Sequence, residues 1–152
     1  PLTKEFINEK ITKSRSKYGL GMLSIKEIKS KLTDINSNLY AIIFGADQSP
    51  RKSQRAYWMN FLNQETGVQF GTEKFAKEFD AVVVFVNIYK VKRGYYELQY
   101  DVITEQPNTE EVGYISKTHT QMLEKVIQQQ PEFWLWSHKR WKHKRPEGEV
   151  LN

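Results

Sequence analysis

The chain has 152 residues, 13% aromatic and 27% charged, with no cysteine and 23 Lys plus Arg against 18 Asp plus Glu, a formal net charge of +5. That is one domain's worth of chain with enough apolar residues to bury a core, which excludes disordered, collagenous and disulfide-stapled classes, thiolate nucleophiles and Cys-containing zinc sites. No apolar run approaches the roughly 18 residues a spanning helix requires, and the opening PLTKEFINEK lacks the apolar centre and cleavage pattern of a signal peptide.

The chain starts on proline and passes at once into a helical pattern with no preceding strand, so a truncated or processed chain is expected. Over residues 3–18, Ile7, Ile11, Ser14 and Tyr18 recur at helical spacing with Lys10, Lys13 and Lys17 elsewhere around the helix, which should end near Gly19 and Gly21. Ser24 followed by Glu27 reads as a capping box, and Ile25, Ile28, Leu32 and Ile35 form the stripe of a second helix stopping by Asn36. The apolar run at residues 39–44 has strand length and leads into a loop with Gly45, Ser49 and Pro50, which puts Asp47 just past the carboxyl end of a strand. A less regular stretch with Trp58, Met59, Phe61 and Leu62 reaches Gly67, after which Thr72 is expected to cap a short helix carrying Phe75, Ala76 and Phe79. Residues 81–89 are β-branched and almost wholly apolar, as in a central strand covered on both faces. Beyond a turn at Gly94, Tyr96, Leu98, Tyr100 and Val102 alternate with Glu97, Gln99 and Asp101, predicting a half-exposed hairpin partner. A long helix over 110–130 is marked by Ile115, His119, Met122, Leu123, Val126 and Ile127 and stopped by Pro131. The order predicts an α/β fold, a mixed sheet flanked by helices, as a single domain over 1–152 with a basic Trp-rich tail at 131–146.

Charge is uneven: residues 1–31 carry a net +5 and residues 131–146 a net +4, so the remainder is acidic. Such zones attract phosphates of nucleic acid or of a membrane surface, or are simply solvated faces. His119 and Glu124 have the spacing of a His-x4-acid dyad, but on a helix they stand roughly 140° apart, so the acid cannot orient the imidazole and His119 reads as a core or boundary histidine. His138 and His143 sit among cations that oppose a divalent ion, so neither a metal nor a cofactor is expected. Asp47, Gln48 and Arg51 lie where open α/β sheets place ligands, although a turn-forming Asp explains the same loop. In the tail, Trp134, Trp136 and Trp141 with His138 and Arg140 suit a membrane interface, single-stranded nucleic acid, or packing of the tail onto the core, and composition leaves the three open.

The particular residues narrow this. The run Gln130-Pro131-Glu132-Phe133-Trp134-Leu135-Trp136-Ser137-His138-Lys139-Arg140-Trp141-Lys142, closing with Arg145-Pro146-Glu147-Gly148, resembles the C-terminal signature of the lipid A biosynthesis acyltransferases, the lauroyl and myristoyl transferases of the lysophospholipid acyltransferase superfamily. Ala46-Asp47-Gln48 is similar to that family's post-strand loop, Phe70-Gly71-Thr72 through Phe75-Ala76 to its Gly-Thr helix start, and Glu124 stands where the family has an acid. The resemblance covers roughly residues 5–148. It implies the C-terminal portion of a glycerolipid-acyltransferase-like fold, with an acyl carrier protein thioester as donor, a lipid A precursor as acceptor, the cytoplasmic face of the inner membrane as location, and no nucleic acid partner. It also implies acceptor-side roles for Arg15, Asp47, Gln48 and Arg51. The family's His-x4-Asp/Glu dyad and membrane anchor belong N-terminal to everything in these residues, so the 152 residues alone are expected to be a soluble, inactive fragment.

Overall fold

The computed structural model describes residues 4–23, 27–28, 39–51 and 56–152. The chain divides into two compact units, Pro1–Ile43 and Phe44–Asn152. In the first unit, helix α1 (Glu5–Arg15) carries Glu5 in its first turn and Lys13 and Arg15 in its last, the signs that suit the helix dipole. It continues into a 3-10 turn, Ser16–Tyr18, closed by Gly19 at φ 88, whose N–H donates to the Ser16 carbonyl at 3.1 Å. The stop expected near Gly19 therefore forms, through the left-handed conformation that glycine adopts without strain. None of the α1 residues is buried, and Tyr18 is 88% exposed. Of the second expected helix, Glu27 and Ile28 are helical; Ser24, Ile25, Leu32 and Ile35 lie outside the described residues.

The strand expected at residues 39–44 does not form. A strand needs a neighbour for its backbone N–H and C=O groups, and no described strand pairs with this run, which leaves Leu39 and Ile43 exposed. Asp47 accordingly lies in a loop that no described strand precedes.

The second unit is α/β, as the sequence predicts. Its described strands form two antiparallel hairpins, β1 (Ala56–Phe61) with β2 (Gln64–Gln69) and β3 (Val83–Lys92) with β4 (Tyr95–Thr104). Helix α2 (Gly71–Phe79) lies between the hairpins in sequence, and α3 (Tyr114–Gln129) with a 3-10 turn at Pro131–Phe133 follows them. The β1–β2 hairpin replaces the irregular stretch expected there. Its two-residue turn has Leu62 at φ 49 and Asn63 at φ 61, the double left-handed geometry that matches strand twist, and Glu124 Oε1 accepts the Leu62 N–H at 2.7 Å. Helix α2 begins two residues earlier than expected, with Phe70 at the N-cap and Thr72 inside the first turn, so Thr72 does not cap.

The β3–β4 hairpin forms in the expected order with Gly94 at φ 82 in its turn, but β3 is not covered on both faces. Phe85 is buried, whereas Val84, Val86 and Ile88 and their cross-strand partners Val102, Tyr100 and Leu98 are exposed. A two-stranded ribbon offers only one face to α3, and no described residue buries the other. The core joins Ala76 of α2, Phe85, Ile103 and Ile115, with Val83, Met122, Leu123 and Val126 against them. Full burial of each large aliphatic side chain contributes roughly 1.5–3 kcal/mol, and α3 touches α2 and all four strands.

Glu73 ties α2 to α3 from inside the core. It has no exposed surface; its Oε1 accepts the Gly113 N–H at 2.5 Å, and its Oε2 accepts the Ser116 N–H at 2.9 Å and hydroxyl at 2.8 Å. Gly113, the N-cap of α3, has no side chain to satisfy the free N–H groups of that helix end, so a carboxylate from α2 does so where the helix dipole also favours negative charge.

Candidate functional site

The tail is organised around Phe61, the innermost ring of β1, which is 1% exposed. Trp134 meets it edge-on with centroids 6.4 Å apart, Trp141 lies at 6.3 Å, and the Arg140 guanidinium carbon stands 5.7 Å from the ring centre. Arg140 is buried; its Nη1 donates to the Gly67 carbonyl at 2.9 Å, and Trp141 Nε1 donates to the buried Thr66 hydroxyl at 2.8 Å. Further along, Arg145 forks onto both Glu65 oxygens at 3.2 and 3.1 Å and also donates to the Glu149 carbonyl. Hydrogen bonding from Arg145 holds the Glu65 carboxyl below its usual range.

The same tail grips the loop at residues 45–51. The Ser49 N–H donates to His138 Nε2 at 3.2 Å, a bond that uses the lone pair of that nitrogen. His143 Nε2 stands 3.1 Å from the Pro50 carbonyl, an acceptor only, so this nitrogen bears the hydrogen. From the other side, Gln69 of β2 donates to the Gln48 carbonyl at 3.2 Å. Consecutive loop residues are thus held by the tail and by β2.

Asp47 is the anion of this cluster. Burial lowers the Arg140 pKa to about 10 while the Asp47 charge opposes the shift, so Arg140 remains a cation at neutral pH. Burial likewise lowers the His119 pKa; Asp47 offsets part of this and Arg140 adds to it. The His119 ring packs edge-on to Phe85 at 5.6 Å, and Glu124 is engaged by Leu62 at the hairpin turn, so the two do not act as a dyad.

The structure therefore joins the loop of Asp47 and Gln48 to His138 and His143 of the tail and to Gln69 of β2, with Arg140 and Trp141 bonded to β2 beside them. Arg51 is exposed at the end of the loop, and Arg15 is exposed in the last turn of α1 in the other unit. Trp134 and Trp141 turn inward; Trp136 is 55% exposed with its indole N–H on the Pro131 carbonyl at 2.7 Å. Sequence reasoning missed Glu73, Thr66 and Gly67. For Gly67 the signal is steric: a Cβ there would stand 3.3 Å from Ala56 Cβ and the Trp58 ring, where β1 and β2 pack closest to the Arg140 contact.

The sequence model of the bacterial lipid A biosynthesis acyltransferase family matches residues 1–143, which takes in the Asp47 loop and the tail as far as His143. The chain belongs to this family. A comparison with curated proteins gave no match. Membership in the lipid A acyltransferases gives the chain's chemistry its general class, acyl transfer in lipid A biosynthesis. Among the described residues, no helix is long and apolar enough to cross a membrane.

Proposed function

We propose that this chain is the C-terminal portion of a glycerolipid-acyltransferase-like enzyme that, when whole, transfers a fatty acyl chain from an acyl carrier protein thioester to a hydroxyl of a lipid A precursor at the cytoplasmic face of the inner membrane. In that reaction the acceptor oxygen attacks the thioester carbonyl, a C–O bond forms as the C–S bond breaks, and the hydroxyl proton passes through a general base to the departing thiol. The observation that carries the reading is the meeting of the Asp-Gln loop with the tail inside the segment matched by the family. Asp47 and Gln48 organise the acceptor pocket, Arg51 serves the same loop, and Arg15 engages acceptor phosphate or sugar.

The base is not among these residues' histidines. His119 packs edge-on against Phe85, and His138 and His143 are engaged by the loop backbone. These 152 residues alone are therefore inactive: incubated with acyl carrier protein thioester and lipid A precursor they should form no acylated product, and measurable transfer would overturn this. Sequencing the reading frame upstream of Pro1 is the independent check. An apolar anchor followed by His-x4-Asp or His-x4-Glu is expected there, whereas a start codon immediately before Pro1 contradicts the reading.

A further inference from the structure

The tail signature is rich in cations, yet its contacts run inward and alternate between two targets. His138 and His143 take the loop backbone at Ser49 and Pro50, while Arg140 and Trp141 take β2 at Gly67 and Thr66. Gln69 closes the set from β2 to Gln48. We propose that His138 and Arg140 are positioning residues: the tail is a clasp that fixes the Asp47–Gln48 loop against the β1–β2 hairpin, so that these side chains meet the acceptor in one orientation. The clasp rests on the acyltransferase reading only for what the loop binds; the holding of the loop stands on the hydrogen bonds. Arg140 anchors the clasp on the hairpin side, where its buried guanidinium donates from Nη1 to the Gly67 carbonyl of β2 at 2.9 Å. His138 sets the loop's height because a neutral imidazole nitrogen accepts the Ser49 N–H, a bond no cation at that position could make.

Nuclear magnetic resonance of the isotopically labelled chain tests this. In the wild type the Ser49 amide should be protected from exchange, and His138 Nε2 should show the shift of an unprotonated ring nitrogen. His138→Phe, which has no acceptor, should speed Ser49 exchange by about tenfold or more, and His138→Gln, whose side-chain oxygen accepts, should restore protection. Arg140→Met should release the loop in the same way and Arg140→Lys should hold it in part; if Arg140→Met fails to fold, the His138 pair decides. A Ser49 amide unprotected in the wild type, a protonated Nε2, or equal exchange in His138→Phe and wild type overturns the clasp. In the catalytically competent enzyme, His138→Phe should raise the KM for acceptor several-fold with the KM for thioester unchanged, and His138→Gln should reverse this. An unchanged acceptor KM beside an exposed Ser49 amide overturns the positioning role. No acyl transfer by the competent wild type would sink the acyltransferase reading instead, and the exchange data would still decide the clasp.

Discussion

Glu73 carries a carboxylate into a place with no solvent, where three donors from the start of α3 converge on it. Glu73→Ala would strand the Gly113 and Ser116 N–H groups, and losing charge-assisted hydrogen bonds of this kind costs roughly 3 kcal/mol. A urea unfolding curve should show that loss as a lower midpoint; a midpoint unchanged from wild type would mean the helix end is satisfied by other means. His119 gives a pH dependence with a definite sign. Its pKa in the folded chain is held below the ordinary 6.5, chiefly by burial. Below about pH 6.5 the unfolded chain takes up a proton that the folded chain does not, so stability falls as pH drops through this window and the loss ends below the folded pKa. The melting temperature should decline more from about pH 7 to about pH 5.5 in the wild type than in His119→Leu, which removes the titrating group. Equal slopes would show that His119 is not held neutral by the fold.

Between elements, Gly113 at the head of α3 lies tightly against the Tyr57 ring of β1. Gly113 has φ 96, and a Cβ there would overlap that ring. Burial, with the nearby Glu73 charge, also raises the Tyr57 pKa, consistent with a phenol packed into this junction. Gly113→Ala combines a left-handed backbone strain with overpacking and should cost about 2 kcal/mol or more, read from the same unfolding curves. A variant as stable as wild type would contradict the packing. The elements whose periodicity is strong were legible in the sequence: α1, α2, β3, β4 and α3 form close to where Ile7, Phe75, the 81–89 run, Tyr96 and Ile115 place them. The β1–β2 hairpin was hidden because Leu62-Asn63 contains no glycine, and its left-handed turn draws support from Glu124, 62 positions away. The run at 39–44 misled for the opposite reason: apolar character gives it a strand's look, but only a neighbouring strand could make it one.

Over the whole chain, the composition of the two parts of the site was visible but their meeting was not. Asp47 and Gln48 stood out as a loop and Trp134, His138, Arg140 and Trp141 as a tail, while the bond that joins them, Ser49 to His138, spans 89 positions. Burial of Arg140 was equally invisible, since a cation in a basic run reads as solvated until β2 is seen to cover it. Loop and tail both lie within the segment that the lipid A biosynthesis acyltransferase family matches, and hydrogen bonds join them. The most direct measurement is the turnover of Asp47→Asn in the catalytically competent enzyme, with acyl carrier protein thioester and lipid A precursor as substrates, because Asn keeps the side chain's shape and removes only the charge. We predict kcat/KM for the acceptor at least about tenfold below wild type, or ~1.4 kcal/mol of transition-state stabilisation, with the fold retained. An Asp47→Asn enzyme working at the wild-type rate would contradict the account and remove Asp47 from the site.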